Sequence, residues 1–132
     1  MGSRGRMLRQ AHWSLPAQYN CVDMKNGIKV LQNVENPTHS SLPAISHTKG
    51  TKYISLDKNG VFHQLRIYDY AGHPVADIDY GVHLPFGRKD TLHVHVWKGA
   101  KKHSENVHLY TKKDHKKYGK YLKGLIKDEW IN

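Results

Sequence analysis

Residues 68–97 read YDYAGHPVADIDYGVHLPFGRKDTLHVHVW, and two parts of this segment alternate between polar and apolar side chains. In the first part, VADIDY, Asp77 and Asp79 fall on one face of a β-strand, because successive side chains of a strand point to opposite sides. In the second part, TLHVHVW, His93 and His95 share a face in the same way. If both apolar faces pack on one core, the aspartates and histidines lie on the same side of the sheet.

The rest of the chain predicts an α+β domain built around this pair of strands. Asn59-Gly60 is typical of a tight β-hairpin and separates two further stretches of strand character. Apolar residues near the C-terminus recur at helical spacing, which predicts a helix that buries Leu125 and Trp130. We therefore expect an antiparallel sheet of four to six strands with a C-terminal helix packed on one face. The predicted strands are residues 28–34, 51–57, 61–69, 75–80, 91–97 and 106–111, and the predicted helices are residues 14–24 and 112–130.

Two neighbouring segments bear on where the core and the site lie. In the strand after the hairpin turn, alternation predicts Val61, Leu65 and Ile67 on the core face, which would bring His63 inward. Before the hairpin, residues 35–50 contain two prolines and many Ser, Thr and His residues. This composition predicts an irregular crossing, and its histidines make it a candidate wall of the site.

Length and composition predict one domain preceded by a tail. Of the 132 residues, 1–12 are expected to be a disordered tail or linker and 13–132 a single domain. Cys21 is the only cysteine, which excludes an intramolecular disulfide and cysteine-rich zinc sites. No apolar run approaches the roughly 20 residues of a membrane span. The N-terminus lacks the apolar region of a signal peptide, so any export signal is expected on a larger chain.

Positive charge predicts a polyanionic partner. The chain carries 21 Lys and Arg against 11 Asp and Glu, a formal net charge of +10 with histidines neutral. Lysines crowd the last third of the sequence among tyrosines, a combination typical of proteins that contact phosphates and stack on bases. The alternative is a solvated lysine face with tyrosines buried in the core. The residues expected to contact a nucleic acid are Lys89, Lys98, Lys101, Lys102, Lys112, Lys113 and Tyr110.

Histidines near an arginine supply the groups that cleave RNA through its own 2′-hydroxyl. That reaction needs a base for the 2′-hydroxyl proton, an acid for the leaving 5′-oxygen and a cation for the pentavalent phosphate. Imidazole titrates near neutral pH and serves in either proton-transfer role. A neighbouring carboxylate orients such a ring. The alternative is that each histidine is an ordinary strand residue. The candidate catalytic residues are His83, His93, His95, Arg88 and Asp79.

A metal centre is a second interpretation of the same segment. His-x-His and Asp-x-Asp each place two ligands on one face of a strand, as in many zinc and manganese sites, and a bound metal activates water. Alternatively, an aspartate orients a histidine or pairs with Arg88. We prefer the metal-independent interpretation and expect no cofactor. The alternative ligand set is Asp77, Asp79, His83, His93 and His95.

One spaced pattern in the chain resembles a known family. It comprises Ile67-Tyr68-Asp69, Gly72, Asp77-Ile78-Asp79-Tyr80, His83 and His93-Val94-His95-Val96-Trp97. The pattern resembles the C-terminal toxin modules of bacterial polymorphic toxins, which also occur fused to phage-type head proteins. The resemblance covers about residues 50–97. It implies an RNase related in fold to the barnase and EndoU-like group.

The preferred hypothesis that follows is a metal-independent endoribonuclease that works by histidine acid–base transesterification. The resemblance implies a toxin-like domain that is secreted or delivered as part of a larger chain and acts in the target-cell cytoplasm. RNA is then the substrate, and an acidic immunity protein is the expected partner. Two alternatives stay open: a metal-dependent nuclease that uses the Asp/His cluster, and a non-catalytic basic nucleic-acid-binding module of a mobile element.

Overall fold

The computed structural model describes residues 19–34, 42–98 and 102–132, without the side chains of residues 102–105. The described chain forms a seven-stranded sheet and one α-helix, so the α+β class is confirmed and the predicted four to six strands are too few. Short 3₁₀ helices span Leu84–Phe86 and Asp128–Trp130. The strands are β1 (Tyr19–Lys25), β2 (Ile28–Asn33), β3 (Lys52–Leu56), β4 (Phe62–Tyr68), β5 (Pro74–Val82), β6 (Asp90–Lys98) and β7 (Lys102–Leu109), and the helix is α1 (Lys112–Leu122).

The seventh strand is β1, where the sequence analysis predicted part of a helix over residues 14–24. Residues before Tyr19, including the predicted tail, lie outside the described residues. From Tyr19 onward the chain is extended and pairs antiparallel with β2. Asn26 and Gly27 join the two strands with φ angles of 54° and 76°. Positive φ at both turn positions is the conformation that joins twisted antiparallel strands, so the Asn-Gly turn closes a β-hairpin.

The strands lie in the sheet in chain order, from β1 at one edge to β7 at the other. All neighbouring pairs are antiparallel except β2 and β3, which run parallel. A parallel pair needs a crossover, and the segment between these two strands provides it. In its described part, Leu42 packs with Tyr53 and Tyr68 against one face of the sheet. The irregular crossing predicted over residues 35–50 is therefore found where the structure describes it.

A glycine fastens this crossing segment to the β4–β5 turn. The Ser46 amide donates to the Gly72 carbonyl at 2.8 Å. Gly72 has a φ of 85°, and a Cβ built on it would lie 2.0 Å from the Ser46 carbonyl oxygen. Only glycine fits both the backbone conformation and the space at this position. The turn thus holds the crossing segment on the sheet face that carries the candidate site.

Helix α1 covers the opposite face of the sheet. Its Tyr118 and Leu122 pack in one core with Leu65, Ile78 and Val94 of the central strands. Because the helix is amphipathic, its lysines point away from this core and into solvent. Among the described residues, no helix is long and apolar enough to cross a membrane.

Strand β4 is buried on both faces, which simple alternation does not predict. Phe62 and Leu65 both belong to the core under α1, because a β-bulge near the start of β4 shifts its register with β3. Val61 precedes the strand and is 41% exposed, so its predicted core position is wrong. Ile67 packs against the core as predicted, and His63 is half-buried.

The helix ends at Leu122 rather than at residue 130 as predicted. Gly124 has a φ of 78°, a left-handed conformation that ends helices. The chain then turns back toward the sheet, where the Trp130 ring stacks on Tyr80 with 3.7 Å between ring centroids. Leu125 and Trp130 therefore pack at the margin of the core and are half-buried, not buried.

Truncation after Tyr110 is expected to unfold the protein. It removes Tyr118 and Leu122 from the core, together with the half-buried residues after the helix. Each large apolar side chain lost from the core costs about 1.5–3 kcal/mol, and the sum over these buried and half-buried residues is comparable to the roughly 5–15 kcal/mol stability of a small domain. Circular dichroism of the truncated chain measures this. A cooperative thermal transition would show that the sheet does not depend on the helix.

A capping box starts α1. The Asp114 amide donates to the Thr111 hydroxyl, and the Asp114 carboxylate accepts from the Thr111 amide at 2.9 Å. The same carboxylate lies 3.1 Å from Nε2 of His108 on β7. Burial raises the pKa of Asp114, but the Thr111 amide and His108 hold it below its ordinary value of 3.8.

Acid is therefore expected to remove the contribution of this cap. A depressed folded-state pKa gives stability that is present above about pH 4 and lost as the pH falls through the folded-state value. Asp114→Ala is expected to lower the free energy of unfolding by about 1 kcal/mol at pH 7 and by less at pH 2. Urea denaturation at both pH values tests this, with the exposed Lys116→Ala as control. An equal loss at both pH values would contradict the linkage.

Candidate functional site

Three neighbouring strands carry polar side chains on the sheet face that α1 leaves uncovered. Asp79 on β5 lies opposite one polar residue on β4 and one on β6, and so does Asp77. Residues directly opposite on neighbouring strands share a face, so these side chains form two rows across the sheet. The rows, read from β4 to β6, are Gln64–Asp79–His93 and Arg66–Asp77–His95.

Three imidazoles converge at the β6 end of these rows. Ring centroids are 5.2 Å apart for His83 and His93, 5.3 Å for His83 and His95, and 5.1 Å for His93 and His95. His93 and His95 come from β6, and His83 enters from the loop that follows β5. Phe86, in the same loop, places its ring 5.4 Å from that of His83. The predicted convergence of these histidines is thus present in the structure.

The three histidines differ in exposure, and the two on β6 are buried, which does not fit the alternative that they are ordinary exposed strand residues. His93 is 3% exposed and His95 is 5% exposed, whereas His83 is half-buried. Burial lowers the pKa of His93, and the charges of His95 and His83 act in the same direction, against the Thr91 carbonyl and Asp79. The His93 ring is therefore neutral at neutral pH. Its Nδ1 lies 2.9 Å from the Thr91 carbonyl oxygen, which fixes the ring orientation.

Asp79 joins the histidines to β4. Its Oδ2 lies 3.3 Å from His95 Nε2, and its Oδ1 accepts a 2.9 Å hydrogen bond from Gln64 Nε2. Burial raises the pKa of Asp79, but the hydrogen bonds from His95 and Gln64 hold it below its ordinary value. The carboxylate is therefore ionised at neutral pH and lies close enough to His95 to orient its ring.

Asp77 belongs to a separate hydrogen-bond network, which does not include Asp79. It is fully buried, and Arg66 binds it with two hydrogen bonds, from Nε at 2.7 Å and from Nη2 at 3.0 Å. Trp97 Nε1 also donates to Asp77 at 3.0 Å. Arg66 Nη1 reaches the carbonyls of Leu42 and Pro43, both at 3.2 Å. Asp77 thus anchors the crossing segment through Arg66, and its oxygens are not available as the predicted alternative metal ligands.

The basic residues predicted for the site are placed differently. Arg88 and Lys89 are exposed in the loop before β6, and no hydrogen bond or ion pair joins Arg88 to the histidines in the described part of the chain. Lys112 and Lys113 are exposed on α1, on the side of the sheet opposite to the histidines. Lys98 is exposed at the end of β6. Lys101 and the side chain of Lys102 lie outside the described residues.

Tyr110 does not fit its predicted role in base stacking. Its side chain is fully buried in the core under α1, and its hydroxyl lies 3.0 Å from His115 Nδ1. Tyr110 sits between β7 and α1, where its amide donates to the Leu92 carbonyl. A buried ring cannot stack on a base, so this residue is corrected to a core residue.

Sequence reasoning missed Gln64, Arg66 and Trp97. Gln64 and Arg66 share a face of β4, and the antiparallel pairing with β5 brings that face beside the two aspartates. The signal that could have found them is the pairing of a buried carboxylate with a cation on the next strand, because buried charges are almost always paired. Trp97 lies two residues beyond His95 on the same face and carries the indole donor that Asp77 accepts.

No family model, no curated protein and no solved structure matches this chain. The resemblance to toxin modules therefore stays a prediction, and a functional proposal depends on the geometry of the site.

Proposed function

We propose that this chain is an RNA-cleaving toxin domain, a metal-independent endoribonuclease that works by histidine acid–base transesterification. One observation carries the proposal: three imidazoles lie 5.1–5.3 Å apart, centroid to centroid, beside an ionised carboxylate. Cleavage through the 2′-hydroxyl requires one proton taken and one proton given near neutral pH, and imidazole is the side chain that does both.

His93 suits the role of general base. Its Nδ1 donates to the Thr91 carbonyl, so Nε2 carries the lone pair that accepts the 2′-hydroxyl proton. Burial lowers the pKa of His93, which keeps the ring neutral and ready to accept a proton at neutral pH. The deprotonated 2′-oxygen then attacks the adjacent phosphorus.

His95 suits the role of general acid. Asp79 Oδ2, 3.3 Å from His95 Nε2, balances the charge of a protonated ring. That ring gives its proton to the 5′-oxygen as the P–O5′ bond breaks, which leaves a 2′,3′-cyclic phosphate and a 5′-hydroxyl. His83 is the most exposed of the three histidines, and Arg88 follows in the same loop. We assign to Arg88 the positive charge that stabilises the pentavalent phosphate, and to His83 a hydrogen bond to that phosphate.

The net charge of +10 supports RNA and an acidic immunity protein as partners. The exposed lysines of α1 lie on the sheet face away from the histidines. They serve the proposed enzyme by attracting RNA and by holding its flanking parts, not by contacting the phosphate that is cleaved. Delivery within a larger chain, followed by action in the target-cell cytoplasm, is the context that the toxin resemblance suggests.

RNA binding is expected to weaken steeply with salt, because lysines that neutralise phosphates release counterions from the RNA. Fluorescence anisotropy with a short single-stranded RNA, measured across a series of NaCl concentrations, gives the slope. The double variant Lys112→Ala/Lys113→Ala removes two phosphate contacts in this proposal, and it is expected to reduce the slope by about 1.4 on single-stranded RNA. A flat salt dependence of the unsubstituted protein would remove the electrostatic basis of binding.

The cleavage reaction itself is tested by incubating the protein with total RNA, with and without a chelator, followed by gel analysis. We expect fragments with cyclic phosphate ends in both conditions. Cleavage that the chelator abolishes would overturn the metal-independent mechanism and favour a metal-dependent nuclease. Binding without cleavage in any condition would instead favour a non-catalytic nucleic-acid-binding module.

A further inference from the structure

We infer that His83, His93 and His95 form a binding site for one divalent transition-metal ion of the Zn²⁺ type, and that this ion inhibits the chain. The inhibitory part rests on the proposed function, whereas metal binding does not. The first observation is distance. One ring nitrogen from each histidine lies within 4.8 Å of the other two. Tetrahedral zinc with bonds of about 2.0–2.1 Å needs nitrogens roughly 3.3 Å apart, which small side-chain rotations reach from here.

The second observation is how two of the rings are held. Histidines that bind metals usually donate their other ring N–H to a carbonyl or a carboxylate, which fixes the tautomer and the ring orientation. The partner of His93 is a carbonyl, because its Nδ1 lies 2.9 Å from the Thr91 carbonyl oxygen. The partner of His95 is a carboxylate, because its Nε2 lies 3.3 Å from Asp79 Oδ2. We therefore assign Nε2 of His93 and Nδ1 of His95, the ring nitrogens not engaged in these two contacts, as the ligands of the ion.

The ligand types select the metal. Three imidazoles suit Zn²⁺, Co²⁺, Ni²⁺ and Cu²⁺, whereas Mg²⁺ and Ca²⁺ require oxygen ligands. The nearest carboxylates are engaged, because Gln64 and His95 hold Asp79, and Arg66 holds Asp77. Half-buried His83 borders the cluster on its more exposed side, so the fourth position is left to water.

Metal binding conflicts with the proposed acid–base reaction. An ion on Nε2 of His93 takes the lone pair that accepts the 2′-hydroxyl proton. An ion on His95 removes the proton that this ring gives to the 5′-oxygen. The histidines can therefore either transfer protons or bind a metal ion, but not both at once. The free metal concentration would determine which state dominates.

Binding is tested by titrating the full chain, first freed of metal with a chelator, with Co²⁺ and with Zn²⁺. We expect one Co²⁺ per chain with the intense visible absorption of four-coordinate cobalt, and a rise in the thermal midpoint with Zn²⁺. His93→Ala and His95→Ala should each abolish the spectrum. Asp79→Asn should weaken the affinity for the metal by about 10–100-fold. His115→Ala should leave the cobalt spectrum and the metal affinity unchanged. Absence of saturable binding, or a spectrum retained in both histidine variants, overturns the site.

Inhibition is tested by measuring RNA cleavage as Zn²⁺ is added. The expected result is loss of activity in parallel with occupancy of the site, with recovery on addition of chelator. Activation by Zn²⁺ would overturn both the inhibition and the metal-independent mechanism. Cleavage that is unaffected while Zn²⁺ occupies the site would overturn the inhibition alone. Saturable metal binding by a chain that never cleaves RNA would overturn the proposed function and the inhibition, and leave the metal site standing.

Discussion

Replacing His95 with alanine is expected to lower the rate of RNA cleavage by about a hundredfold or more while the protein stays folded. The ring lies 3.3 Å from Asp79 and within 5.3 Å of both other imidazoles, so its loss removes the proposed proton donor. His83→Ala is expected to cost a similar factor, because this residue is assigned to the phosphate. Single-turnover cleavage of a short RNA at saturating protein measures the chemical step without a contribution from binding.

His115→Ala is the matched control for this experiment. His115 is a histidine on α1, on the other side of the sheet, and its contact is the buried hydroxyl of Tyr110. We expect a cleavage rate within a few-fold of the unsubstituted protein and a modest loss of thermal stability. Unchanged rates for both His83→Ala and His95→Ala would remove these residues from the mechanism. Equal losses in all three variants would indicate a defect of folding.

The faces of the site strands were predictable, and their register was not. Alternation places Asp77 and Asp79 on one side of β5 and His93 and His95 on one side of β6, because side chains of a strand alternate with a period of two. Which aspartate meets which histidine depends on the turn and on packing. In the structure, Asp79 lies opposite His93 but pairs diagonally with His95. As a result, Asp79 belongs to the hydrogen-bond network of the histidines, whereas Asp77 belongs to that of Arg66 and Trp97.

The errors in the fold have local causes. Strand β1 is an edge strand whose side chains are mostly exposed, so its sequence carries no apolar alternation that would identify it. It is a strand because the Asn26-Gly27 turn pairs it with β2. The predicted helix over residues 112–130 continued through Gly124 because the apolar spacing persists there. The left-handed conformation of Gly124 prevents the helix from continuing. The later apolar residues therefore contact the sheet from a non-helical segment, in which Trp130 stacks on Tyr80.

The sequence shows that lysines are concentrated in the last third of the chain, but it does not show which face of the fold carries them. Two residues separate the end of β7 from the start of α1. Because α1 packs on the face opposite to the histidines, its exposed lysines lie on that side of the sheet. The buried position of Tyr110 has the same origin, since this residue connects the last strand to the helix and lies in the core. Only the packing of the helix on the sheet decides these positions.

Asp77→Ala is expected to destabilise the protein by about 3–5 kcal/mol, a large part of the roughly 5–15 kcal/mol that holds a small domain folded. Asp77 is 0% exposed and accepts hydrogen bonds from Arg66 and Trp97. Its removal leaves the largely buried guanidinium charge of Arg66 without its carboxylate partner. Burial of an unpaired charge is far more costly than loss of the pair itself.

A double replacement distinguishes the loss of the Asp77–Arg66 ion pair from the cost of leaving the Arg66 charge without a partner. Asp77→Leu/Arg66→Met removes both charges and fills similar volume, so we expect it to be more stable than Asp77→Ala. The double variant still loses the bonds from Arg66 to the carbonyls of Leu42 and Pro43, so the crossing segment should exchange amide hydrogens faster. Urea denaturation gives the free energies, with the exposed Asp90→Ala as control. An Asp77→Ala variant within about 1 kcal/mol of the unsubstituted protein would show that this buried pair does not hold the site face together.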